Sequence, residues 1–239
     1  LKSHHATAEK RYYPLAQEVI TGTYVGDYDY VLDLLDRCYF PTREGVANFH
    51  DNFVDALILA GEEKIAEGKV EQAVTLYKKA FTYPENHQVF LVDERATHDA
   101  QINYCLGEAY AALGQDAEAE KYWKLAAEQD YELKGSKDFR YWTGLALERL
   151  GRKAEAEAIF SALVADGEAA VVTQHVNFYG AEGTTGVTVD IINSAAYYTQ
   201  ALGHLGLGHR GKAKRLFAEV QRLKPDHLWA NEFMKQFEK

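Results

Sequence analysis

One helix-turn-helix pattern occurs twice in succession between residues 101 and 163, and it constrains the fold more than any other feature of the sequence. In both copies a glycine stands seven places before a second glycine, an alanine follows that second glycine by five places, and a large aromatic follows it by nine. The two registers are Gly107, Gly114, Ala119, Trp123 and Gly144, Gly151, Ala156, Phe160. The second glycine suits the left-handed residue that ends a helix, and the small residues allow two antiparallel helices to approach closely around the aromatic. The pattern therefore predicts closely packed helical hairpins.

Three further segments carry the same register. A clear copy is built on Gly61, Gly68, Ala73 and Tyr77, the last copy on Ala201, Gly208, Ala213 and Phe217, and a degenerate first copy on Gly26. Successive turn glycines are 42, 46, 37 and 57 residues apart. This spacing indicates a repeat of about 34 residues with insertions of unequal length between the copies.

We predict a single helical repeat domain over residues 1–239. Its parts are a frayed start at 1–10, a degenerate first repeat at 11–45, four repeats at 52–84, 100–130, 137–164 and 194–225, an extended insertion at 165–193, and a capping helix at 226–239. Within the insertion, two β-branched runs at 171–179 and 187–192 flank the glycine-rich sequence GAEGTTG, which favours an extended excursion or a hairpin.

Composition narrows the classes of partner. The formal net charge of −10 argues against nonspecific binding to nucleic acid or to an anionic membrane, because both need a basic surface. We expect Cys38 and Cys105, the two cysteines of the chain, to be reduced core thiols. The sequence starts at Leu1 without methionine, which we interpret as a fragment that could have lost an export signal. The compartment stays open, with the cytoplasm slightly favoured.

The repeat resembles the tetratricopeptide repeat (TPR), whose signature has a small residue in the first helix, a glycine at the turn, an alanine and an aromatic in the second helix, and a closing proline. Four copies match, anchored on Gly68, Gly114, Gly151 and Gly208. The resemblance implies an all-α fold, a right-handed TPR-type α-solenoid of about five antiparallel helix pairs with a C-terminal capping helix and irregular inter-repeat insertions. The sequence departs from the family pattern at Leu57, Asn103 and Arg140, where the family often has Trp, and at His204, where it often has Tyr.

A narrower resemblance concerns the phrases YPENHQVF and FRYWTGLALERLGR. They are similar to the helical tail of large, uncharacterised bacterial proteins that begin with a β-sandwich domain related to sugar mutarotases. That resemblance implies an alternative function, an accessory C-terminal domain of a carbohydrate-active protein whose catalytic domain is absent from this chain.

In TPR proteins the first helix of each pair lines the concave face, so its outward residues are the candidates for binding a partner. The positions ten and six places before the turn glycines, together with Glu148, give the predicted groove: Ile58, Glu62, Tyr104, Glu108, Tyr141, Leu145, Glu148, Tyr198 and Leu202. Three tyrosines in register would form an aromatic ladder for a protein or peptide partner, and the glutamates would suit a basic or amphipathic segment. Alternatively, the tyrosines pack between neighbouring repeats, and the glutamates belong to an ordinary solvated helix face.

Signatures of catalysis are absent from the sequence. GAEGTTG lacks the Gly-Lys-Ser/Thr of a phosphate-binding loop, and no GxSxG occurs. His204 and His209 are five residues apart, which would turn them to different sides of a straight helix. We therefore predict a non-enzymatic scaffold with no cofactor and no metal. An upstream domain of the same polypeptide remains a candidate partner, as does a second copy bound through the insertion.

Overall fold

The computed structural model describes residues 12–41, 49–87, 98–129, 138–173 and 189–238, and the regular secondary structure in these ranges is helical. Eleven helices are described: α1 (Tyr12–Val25), α2 (Tyr28–Arg37), α3 (Phe49–Ala66), α4 (Val70–Lys79), α5 (Asp99–Ala112), α6 (Asp116–Ala127), α7 (Arg140–Arg149), α8 (Lys153–Ala170), α9 (Val189–Gly206), α10 (Arg210–Leu223) and α11 (Leu228–Lys235). The first ten form five hairpins, and α11 follows the last of them. This confirms the predicted all-α architecture of helix pairs with a C-terminal helix. The frayed start at 1–10 lies outside the described residues.

The turn glycines close the hairpins as predicted. All five have positive φ, between 69° and 76°. In the α5–α6 turn the N–H of Gln115 donates to the carbonyl of Tyr110 at 2.9 Å, and the N–H of Gly114 donates to Ala111 at 3.0 Å. This is the Schellman pattern, which satisfies carbonyls at the helix end and requires a left-handed residue. A Cβ on Gly114 would meet no atom within 4 Å, so the glycine is needed for its φ and not for space.

A second set of glycines lies inside the hairpins, where space is the constraint. A Cβ on Gly61 would lie 2.2 Å from the ring of Tyr77, and one on Gly144 would lie 2.4 Å from the ring of Phe160. In each case the aromatic of the second helix lies directly on the backbone of the first. The predicted pairing of a small residue with an aromatic is thereby confirmed.

The described hairpins belong to two compact units, Leu1–Gln129 and Asp130–Lys239. In the first unit α3 lies between the other first helices, α1 and α5, and contacts both. In the second unit the first helices α7 and α9 contact each other, and α8 packs along α9. The single domain over 1–239 stays a prediction.

The insertion is shorter than the sequence suggested. α8 continues to Ala170 and α9 begins at Val189, so residues 165–170 and 189–193 are helical instead of extended. A Cβ on Gly167 would lie 2.6 Å from the carbonyl oxygen of Ala196, which places the backbones of α8 and α9 in direct contact just beyond the predicted excursion. Residues 174–188, the centre of the predicted excursion, lie outside the described residues.

The two ends of that excursion are joined by one side chain. The amide of Asn193 accepts from the N–H of Val172 at 2.9 Å and donates to the carbonyl of Val172 at 3.0 Å. Both backbone groups of Val172 are therefore satisfied by the first turns of α9.

Candidate partner-binding faces of the first helices

In the first unit, the predicted groove residues lie on α3 and α5. Ile58 is fully buried, Tyr104 and Glu108 are half-buried, and Glu62 is exposed. Burial, with the nearby carboxylates of Glu62 and Glu108, raises the pKa of the Cys105 thiol well above its usual value. The two glutamates thus lie near the same cysteine, although they come from different repeats. Cys105 and Cys38 are both buried and are not joined in a disulfide, which agrees with their interpretation as core thiols.

The acidic side chain of Glu108 is held by the second helix of its own hairpin. The indole Nε1 of Trp123 donates a hydrogen bond to Oε1 of Glu108 at 3.1 Å. The same indole lies on Gly107, where a Cβ would be 2.3 Å from its ring. The aromatic position of the repeat therefore packs the hairpin and also orients a carboxylate on the candidate face, a second role that the sequence pattern alone did not indicate.

In the second unit, three of the predicted residues are buried. Tyr141 is 5% exposed, Tyr198 7% and Leu202 1%, whereas Leu145 is half-buried and Glu148 exposed. Tyr141 and Tyr198 belong to this unit and Tyr104 to the other, so a tyrosine ladder through all the repeats stays a prediction.

The C-terminal helix covers both buried tyrosines. The ring of Phe233 in α11 lies edge-on to Tyr141, with centroids 5.8 Å apart, and 6.4 Å from the ring of Tyr198. The imidazole of His227, just before α11, lies 4.5 Å from Tyr198. In this structure a partner would reach Tyr141 and Tyr198 only after α11 moves.

Sequence reasoning missed the aromatic residues of α11 as part of this face. Trp229 lies 6.3 Å from Trp142 of α7, and Phe233 stacks on Phe217 of α10 with centroids 5.2 Å apart and planes 8° apart. A signal was present in the sequence, because Trp229, Phe233 and Phe237 recur every four residues and so share one helix face.

Two departures from the family pattern acquire local partners. The guanidinium of Arg140 forms an ion pair with Asp166 of α8. Nδ1 of His204 lies 3.3 Å from Nδ1 of His209, so the expectation that these histidines point apart is wrong. The reason is the turn at Gly208, which reverses the chain between them. Within the described ranges, no three His, Cys, Asp or Glu side chains lie close enough to hold a metal ion.

None of the described helices is both long enough and apolar enough to cross a membrane.

No family model matches the chain, and no curated protein matches it. Solved structures do. The matched chains are TPR proteins. They include YrrB, "a TPR protein with an unusual peptide-binding site", at 16% identity over 98% of this chain and 96% of that one, with a TM-score of 0.34. A putative kinesin light chain from Podosopora anserina with nearly identical TPR-like repeats matches at 16% identity over 90% and 96% of the two chains, with a TM-score of 0.37.

MamA matches at 16% identity over 90% of this chain and 98% of that one, with a TM-score of 0.31. TM-scores at this level are too low to carry a functional argument, so the assignment of the repeats depends on their glycine and aromatic contacts. None of these matches supports the mutarotase-like alternative.

Proposed function

We propose that this chain is a non-catalytic scaffold that binds a protein or peptide partner on the faces of its first helices. The observation that supports this most directly is the pair of carboxylates, Glu62 and Glu108, on the adjoining helices α3 and α5. Tyr104 is half-buried on the same helix as Glu108, one turn away. An aromatic surface beside fixed negative charge suits a basic, amphipathic peptide.

The charge of the first unit agrees with such a partner. Residues 1–129 contain 22 Asp and Glu against 12 Lys and Arg, a net charge of 12 − 22 = −10, whereas residues 130–239 contain 14 of each. The whole formal charge of the chain therefore belongs to the unit that carries Glu62 and Glu108. A basic partner would be steered towards this unit, and its association would weaken as salt is added.

A peptide-display selection against the full chain tests the proposal. We expect it to enrich sequences in which Lys or Arg alternates with apolar residues at helical spacing. The Glu62→Lys/Glu108→Lys variant should bind the selected peptides at least about tenfold more weakly in fluorescence polarisation. Glu71→Lys/Glu120→Lys, which reverses two exposed carboxylates on the second helices α4 and α6, is the control matched in charge and should bind like wild type. Equal binding by the two charge-reversed proteins would overturn the assignment of this face.

A further inference from the structure

We propose that the face of the second unit formed by α7, α9 and α10 is a docking groove for an amphipathic helix with the pattern Trp-Ala-Asn-x-Phe, and that α11 is a ligand of this kind already bound in cis. A partner helix of the same chemistry would replace α11. The proposal deepens the proposed function, because it names the partner class for the second of the two candidate faces.

The apolar part of the pattern is read from the contacts of α11. Phe233 is 4% exposed and its ring meets Tyr141, Tyr198 and Phe217, one residue from each of three helices. One turn earlier, Trp229 packs edge-on against Trp142 of α7. Aromatic anchors at positions i and i+4 of a helix, set into a groove between helices, are the usual form of helix-in-groove recognition.

The contacts of α11 also restrict the two positions that follow the first aromatic anchor, Ala230 and Asn231. Ala230 is fully buried between the two anchors, so a larger side chain would not fit there. Asn231 accepts a hydrogen bond from Nε2 of Gln221 in α10 at 2.8 Å, and its amide donates to the carbonyl of Pro225 at 3.0 Å. The groove therefore reads one small residue and one amide in addition to the aromatics.

The far end of the groove matches the end of a helix. Arg210 at the start of α10 donates to the carbonyl of Gln236 at 3.4 Å, and its guanidinium lies 4.9 Å from the centroid of the Phe237 ring. A cation beside the last carbonyls of a helix stabilises it through the helix dipole. These contacts fix the direction in which a docked helix would run.

α11 is a short element that depends on the groove for its helical structure. It has eight residues, and its buried residues are Ala230 and Phe233. A helix this short is marginal in water, so its stability comes from the groove itself. Elements with few buried contacts open locally at low free-energy cost. In the full chain α11 competes at the high effective concentration of a tethered ligand, so a partner must either bind more tightly or meet an α11 that has been loosened.

A fluorescein-labelled peptide with the sequence of residues 225–239 is the probe. We expect it to bind full-length wild type weakly and to bind the full-length Trp229→Ala/Phe233→Ala variant at least about tenfold more tightly in fluorescence anisotropy, because the variant α11 no longer fills the groove. A labelled peptide carrying the same two alanines is the matched control and should bind neither protein. Circular dichroism must show that the variant keeps the helix content of α1–α10, with a loss no larger than the eight residues of α11.

A milder variant covers the case in which the double variant fails to fold. Asn231→Leu in the protein removes the hydrogen bond to Gln221 and keeps both aromatic anchors, so we expect about a threefold gain in peptide affinity. Failure of the peptide to bind either folded variant, or equal binding by wild type and variants, overturns the proposal. A wild-type dimer in light scattering that the double variant abolishes also overturns it, because a second copy would then be the occupant. The Glu62→Lys/Glu108→Lys test concerns other residues, so either proposal can fail alone.

Discussion

The indole nitrogen of Trp123 donates to the carboxylate of Glu108 at 3.1 Å, which links the second helix of a hairpin to the candidate binding face of the first. The two residues are 15 apart in sequence and meet because the turn at Gly114 reverses the chain between them. The packing of the hairpin and the orientation of the Glu108 carboxylate thus depend on the same side chain, that of Trp123.

The Trp123→Phe variant separates these two roles. Phenylalanine keeps an aromatic ring over Gly107 and loses the hydrogen-bond donor. We therefore expect the free energy of unfolding, measured by urea denaturation, to fall by about 1 kcal/mol. Glu108→Gln is the matched control, because an amide oxygen still accepts from Trp123 while the charge is lost. It should keep wild-type stability and bind basic peptides more weakly. A loss of about 3 kcal/mol or more in Trp123→Phe would mean that ring packing, and not the hydrogen bond, dominates.

The glycines of the fourth hairpin give the second prediction. In Gly144→Ala the new Cβ would lie 2.4 Å from Phe160, and we expect a loss of about 2–3 kcal/mol from overpacking. In Gly151→Ala nothing is crowded, but φ is 76°, so the expected loss is about 1 kcal/mol from backbone strain. Both losses are measured by urea denaturation.

Only the stability loss of Gly144→Ala should become smaller when the aromatic residue at position 160 is replaced by a smaller side chain. Gly144→Ala combined with Phe160→Leu should recover part of the stability relative to the sum of the single changes, whereas Gly151→Ala combined with Phe160→Leu should be additive. Additive behaviour in both pairs would contradict the direct contact between Gly144 and Phe160.

The difference between these glycines explains what the sequence could predict. Gly151 is needed for a local backbone conformation, and Gly144 for a contact 16 residues away within one hairpin, so a pattern read along the chain locates both. The burial of Tyr141 is different, because it depends on Phe233, which is 92 residues further along the sequence. The repeat pattern does not predict against which face of the preceding helices α11 packs. The helical start of α9 at Val189 was also missed, because β-branched residues favour strands and the close contact of α9 with α8 lies further along the helix, at Ala196.

Acid should loosen α11 through His227. The pKa of this imidazole is lowered to about 4, first by burial and then by Lys224, although Asp226 acts in the opposite direction. Its Nδ1 also accepts from the N–H of Ala230 at 3.2 Å and so caps α11 in its neutral form. Because the ordinary pKa is 6.5, the detached state binds more protons between pH 6.5 and 4. The contribution of His227 to the docking of α11 is therefore complete above pH 6.5 and is lost as the pH falls towards 4.

We expect this loss to reach about 2 kcal/mol, because the imidazole ring remains partly exposed. The measurement is the indole N–H resonance of Trp229 in NMR spectra of the full chain. His227→Asn is the control, because asparagine caps a helix and does not titrate in this range, so its Trp229 resonance should stay constant from pH 7 to about 4.5. His50 in the first unit also has a pKa of about 4, so global stability will fall with acid in both proteins. A Trp229 shift of equal size in His227→Asn would assign the acid response to His50 or other groups and leave α11 without a switch of its own.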